Sequence, residues 1–66
     1  MTTLGNAFPE ELKRVRDIHA EYVKLGNNGR FGAIWIGELL ERAESAYLSG
    51  DTVEMLRLYA MLKAVQ

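Results

Sequence analysis

The side chains that could do acid–base or metal chemistry are one histidine, His19, and the glutamates Glu38, Glu41 and Glu44. A catalytic histidine works with a paired carboxylate or a nucleophile, and no motif here supplies one. The glutamates lack the Glu-x-x-His pattern of di-iron helix bundles, and without cysteine a structural zinc site has too few ligands. The pattern therefore predicts a protein that is not an enzyme, with no metal and no cofactor.

The segment from Gly26 to Gly32 is the one stretch whose composition could hold a ligand. It is rich in glycine, contains Arg30 and leads into a helix, whose free N–H groups favour an anion. It does not match the phosphate-loop pattern, which has a lysine and a hydroxyl after the last glycine. An ordinary helical turn is the favoured interpretation. The alternative is a protein that binds or sequesters a nucleotide or similar anion at Asn28, Gly29 and Arg30.

The apolar spacing predicts an all-α fold, a helical hairpin plus a third helix in a single domain over residues 9–66. Residues 1–8 lack periodicity and are expected to form a flexible arm, with Phe8 lying back over the first turn. Pro9 suits the first position of a helix, because its missing N–H costs nothing there. The helices are expected at about 9–25, 31–48 and 52–64.

Two glycines and one aspartate mark the boundaries between these helices. Gly26 stands where a left-handed glycine ends a helix, and a short loop follows, which predicts an antiparallel hairpin. Gly50 can end the second helix in the same way. Asp51 can cap the third, with Glu54 completing a capping box.

The second helix opens with an uncharged run whose members fall on different faces. At about 100° per residue, Trp35 belongs with the core face, whereas Ile34 lies on the polar side and Phe31 at its edge. Ala33 and Gly37, four residues apart, form a flat strip that another backbone could approach. Glycine costs a helix roughly 1 kcal/mol against alanine, so a packing reason for Gly37 is expected.

The third helix has two apolar faces, and this excess predicts self-association. Sixty-six residues bury a modest core, and without cysteine the remaining way to stabilise it is a second copy. We therefore expect a symmetric homo-oligomer, a dimer or larger, or a contact with another protein. The residues assigned to that contact are Phe31, Ala33, Ile34, Gly37, Val53, Leu56 and Ala60.

Charge and hydropathy exclude several classes of function. The net charge of -1, from eight basic and nine acidic residues, provides no field for nucleic acid. A helix-turn-helix DNA reader is a remote alternative, because the third helix offers only Arg57 and Lys63 to a groove. No apolar run is long enough for a membrane span, and a cytoplasmic location is expected.

Short motifs along the chain resemble those of small uncharacterised helical accessory proteins of bacteriophages and prophages. They are the run from Pro9 to Arg16, Phe31-Gly-Ala-Ile34, Ser49-Gly-Asp51, and Met55-Leu-Arg57 with Tyr59. The resemblance covers residues 9–64. It implies a non-enzymatic factor in the cytoplasm of a bacterial host that binds and modulates a host or phage protein, and it brings no functional residues with it.

Overall fold

The computed structural model describes residues 3–66 and contains three α-helices in that part of the chain. They are α1 (Leu4–Lys24), α2 (Arg30–Ser49) and α3 (Thr52–Ala64), with a short 3-10 helix at Gly26–Gly29. The predicted all-α class is confirmed, and residues 3–66 form no strand. Within these residues, no helix combines the length and the hydropathy that a membrane crossing requires.

The start of α1 corrects the prediction of a flexible arm over residues 1–8. The helix begins at Leu4, and Pro9 is its sixth residue rather than its first. Thr3 caps it, since its side-chain oxygen accepts a hydrogen bond of 3.2 Å from the Asn6 N–H. Residues 1 and 2 of the predicted arm lie outside the part of the chain that the structure describes.

Phe8 explains why the helix continues through a proline. Its side chain is 0% exposed, and its ring stacks at 5.8 Å on Tyr47 and at 6.5 Å on Tyr59. A proline inside a helix removes one backbone hydrogen bond and crowds the preceding turn, at a cost of about 3 kcal/mol. Complete burial of a phenylalanine with two aromatic neighbours offsets that cost.

The predicted turns are confirmed, but only one of the two hydrogen bonds of the predicted capping box is formed. Gly26 and Gly50 adopt left-handed backbone angles, with φ of 63° and 71°. Asp51 caps α3 by accepting a 3.1 Å hydrogen bond from the Glu54 N–H. The reciprocal bond is not made, because the Asp51 N–H donates to the Ala46 carbonyl and the Glu54 carboxylate pairs with arginines instead.

Cross-helix contacts fix the directions of the three helices. The helices α1 and α2 are antiparallel, because Phe8 contacts Tyr47 whereas His19 reaches Ala33 near the start of α2. The helix α3 lies across both of them, and Arg14 of α1 holds its end by donating to the carbonyls of Leu62 at 2.7 Å and Val65 at 2.9 Å. The buried hydrophobic core comprises Ala7, Phe8, Leu12, Val15, Ile36, Leu39, Leu40, Ala43, Ala46, Met55, Leu58, Leu62 and Val65.

The unequal lengths of the helices leave one end of the hairpin uncovered. At a rise of 1.5 Å per residue, α1 and α2 are each about 30 Å long and α3 is about 20 Å long. The helix α3 follows α2 after a turn of two residues, Gly50 and Asp51, so it starts at the level of the end of α2. It therefore ends before it reaches the first turns of α2.

Candidate interaction surface

The uncovered end of the hairpin presents three large apolar side chains within about one turn of α2. Phe31 is 89% exposed, Ile34 is 52% exposed and Trp35 is 51% exposed. Their spacing of three and four residues makes them neighbours on the helix surface. We call these three residues the tip surface. Val23 and Leu25, at the same end of the hairpin, are also more than half exposed.

Trp35 corrects the interpretation of the apolar run. The helical wheel assigned it to the core with Ile36, but Ile36 is 2% exposed whereas half of the Trp35 side chain faces solvent. The wheel places Trp35 on the side of α2 that faces α3, and α3 is too short to cover that level of the hairpin. The exposure predicted for Phe31 and Ile34 is confirmed.

Close packing of glycines against Tyr22 fixes the backbone that carries the tip surface. Gly29 is buried, and a Cβ there would collide with the Tyr22 carbonyl oxygen and come within 2.9 Å of the Leu25 Cβ. A Cβ at Gly32 would collide with the Tyr22 ring. The contacts leave no room for a side chain at either glycine. The 3-10 turn and the first turn of α2 therefore pack closely against α1.

The strip formed by Ala33 and Gly37 is used within the chain. The Nε2 of His19 lies 3.0 Å from the Ala33 carbonyl oxygen, to which it donates. A Cβ at Gly37 would lie 3.2 Å from the same nitrogen. The strip was predicted to meet a second copy or a partner protein, but it gives room to a histidine of α1 instead, and that is the packing reason for Gly37. The structural role predicted for His19 agrees with this hydrogen bond.

A second exposed apolar surface follows the outer side of α3. Val53 is 70% exposed, Leu56 is 58% exposed and Ala60 is also exposed. Their spacing of three and four residues aligns them along the helix, opposite the buried Leu58 and Leu62. We call Val53, Leu56 and Ala60 the α3 stripe. The prediction that α3 has two apolar faces is confirmed, and only the inner face is covered by this chain.

The glycine-rich turn does not gather its residues into a pocket. Asn28 and Arg30 are exposed, whereas Gly29 is buried beneath them. Arg30 is the first residue of α2, and its N–H donates to the Asn27 carbonyl. One of the N–H groups that could bind an anion is therefore already occupied. Anion binding at Asn28, Gly29 and Arg30 stays a prediction, which a thermal shift with nucleotides and an Arg30→Ala variant would test.

Of the three glutamates considered for metal or acid–base chemistry, Glu44 is in an ion pair, and Glu38 and Glu41 are exposed. Glu44 accepts from Arg16 at 3.1 Å, and no three His, Asp or Glu side chains in residues 3–66 come together as metal ligands. The two cations of α3 are also engaged, since Arg57 lies 3.7 Å from Glu54 and Lys63 lies 3.5 Å from Glu11. A DNA-reading role for α3 gains no support from this arrangement.

Leu48 is an exposed apolar residue that the sequence interpretation did not single out. It is 84% exposed, near the end of α2, and it borders a shallow groove of about 310 Å³ between α1 and α2. The helical wheel contained the signal, because Leu48 falls on the side opposite the buried residues of α2. It lies at the other end of α2 from Phe31 and forms no part of the tip surface.

Comparisons with known proteins give no relative of this chain. No protein-family model, curated protein or solved structure matches it. The proposed function therefore rests on the two exposed apolar surfaces and their neighbouring charges.

Proposed function

We propose that this protein is a non-enzymatic accessory protein that acts by protein–protein interaction. It associates with copies of itself and uses the tip surface to bind and modulate another protein. The resemblance to small phage proteins is the reason for placing that partner among bacterial host or phage proteins, in the cytoplasm of the host. The proposal requires no cofactor and no bound metal.

The observation that supports the proposal is the exposure of Phe31, Ile34 and Trp35 on one ordered helix. Contiguous apolar patches on monomeric proteins usually mark interaction sites, because leaving them in water forfeits the free energy of burial. Tryptophan is among the residues that contribute most to binding when an interface covers them. The geometry suits a partner with an apolar groove, since such grooves take helix side chains spaced three and four residues apart.

The packing beneath the tip surface also favours binding of another protein. Gly29 and Gly32 hold the start of α2 tightly against Tyr22, so binding need not order a flexible segment. An anchor that is already rigid loses less conformational entropy when it binds. The Tyr22 hydroxyl in addition donates to the Gln66 carbonyl at 3.4 Å, which ties the end of the described chain to α1.

Affinity capture from bacterial lysate tests the proposal, with Phe31→Ser/Trp35→Ser as the tip variant and Leu48→Ser as the matched control. All three positions are exposed on α2, so folding should survive in both variants, and circular dichroism checks this. We expect the wild type and Leu48→Ser to capture the same protein, and the tip variant to lose it. Equal capture by the tip variant would refute the role of the tip surface.

A further inference from the structure

We infer that the α3 stripe is the contact between two copies of this chain, packed antiparallel about a two-fold axis near Leu56. This inference rests on the self-association in the proposed function and names its surface and its geometry. In this arrangement Val53 lies opposite the partner's Ala60. The small side chain of Ala60 lets the two helices approach closely along the stripe.

The charges of α3 favour the antiparallel direction. The helix is acidic at its start, with Asp51 and Glu54, and carries Arg57 in its middle and Lys63 in its last turn. Arg57 pairs with Glu54 and Lys63 with Glu11 within the chain, but these two basic side chains stay 68% and 57% exposed and are open to a partner's charges as well. When the helix is reversed about the centre of the stripe, Lys63 comes level with the partner's Asp51. Arg57 then lies within about two residues, or about 3 Å along the axis, of the partner's Glu54. Opposite charges therefore lie close to the same level at both ends of the contact.

A parallel pair of α3 helices would bring like charges together instead. Each charge would stand at the same level as its own copy, so that Glu54 would face the partner's Glu54 and Arg57 the partner's Arg57. Parallel packing also aligns the two helix dipoles, whereas antiparallel packing opposes them. The exposed apolar residues make a second copy a suitable cover for the stripe, and the charges determine its direction.

The size of the stripe predicts a dissociable dimer rather than an obligate one. One helix face about 20 Å long buries less than about 1,200 Å² in total, which is typical of weak interfaces. Dimers and monomers should therefore exchange at micromolar concentrations. The tip surface is not part of this contact and stays available to another protein.

Sedimentation of the purified chain from about 1 μM to about 500 μM tests the contact in the concentration range of a weak interface. We expect the wild type to dimerise within this range, and Leu56→Glu to raise the dissociation constant by about 30-fold or more, because two half-exposed leucines are lost from the contact. Leu48→Glu, which places the same charge at an exposed leucine of α2, should dimerise like the wild type.

Three results would overturn the inference in different ways. A wild type that stays monomeric throughout defeats it together with the self-association in the proposed function, but leaves capture of another protein through the tip surface unaffected. A dimer that Leu56→Glu does not weaken defeats the α3 contact alone. A dimer that Phe31→Ser/Trp35→Ser abolishes would move self-association to the tip surface.

Disulfide trapping then tests the direction, and the chain is well suited to it because it contains no cysteine. An equimolar mixture of Val53→Cys and Ala60→Cys should form a mixed disulfide, because antiparallel packing brings these two positions together. Val53→Cys alone should cross-link much more slowly. Faster cross-linking of Val53→Cys with itself would show parallel packing and refute the geometry.

Discussion

Replacing Phe8 by alanine tests whether the residues before Pro9 belong to the folded core. The Phe8 ring is 0% exposed and stacks on Tyr47 and Tyr59, so the variant loses both the burial of the ring and two aromatic contacts. Phenylalanine-to-alanine changes in cores cost about 3–5 kcal/mol. The total stability of a domain of this size is about 3–10 kcal/mol. We therefore expect the variant to lose most of its stability.

The matched control is the same change at Phe31, which is 89% exposed. An exposed position should lose no more than about 0.5 kcal/mol. Urea denaturation followed by the helix signal in circular dichroism measures both variants. A loss below about 1 kcal/mol for Phe8→Ala would refute the core position of Phe8, because burial of the ring alone is worth more than that. It would support the flexible arm instead.

Two further predictions concern the turns. Gly29→Ala should lower the free energy of unfolding by about 1–3 kcal/mol, because its Cβ would collide with the Tyr22 carbonyl. The control Gly5→Ala, which meets only a side-chain oxygen at 3.8 Å, should be neutral or slightly stabilising, and a similar loss at both positions would contradict the close packing at Gly29. Asp51→Ala should cost about 1 kcal/mol through loss of its hydrogen bond to the Glu54 N–H. In a small domain, a loss of this size lowers the melting temperature by about 4–8 °C. An unchanged melting temperature would argue against the cap at Asp51.

The periodicity of apolar residues and the turn residues were sufficient to predict most of the fold. The predicted helices at 31–48 and 52–64 differ from α2 and α3 by no more than one residue at either end. Gly26, Gly50 and Asp51 act locally, through backbone angles and one short hydrogen bond, so sequence neighbours are enough to identify them. The start of α1 was not predictable in this way. Pro9 is typical of a first helical turn, and only the burial of Phe8 by distant aromatic residues shows that the helix begins earlier.

The candidate surface was predicted in part, for a related reason. A helical wheel gives the direction of a side chain, and it placed Phe31 and Ile34 outside the core. It does not say how far a neighbouring helix extends, and Trp35 is exposed because α3 is short. The use of Gly37 by His19 depends likewise on which residues of α1 lie beside α2, and local sequence patterns do not contain that information.

Quenching of the fluorescence of Trp35, the only tryptophan, tests the central claim most directly. The claim is that the tip surface is open in the folded chain and is covered by a bound protein. We predict that acrylamide quenches Trp35 readily in the folded, isolated chain and much less once the protein captured from lysate is added. A tryptophan already protected in the isolated chain, or equally quenched with the bound protein, would contradict the account.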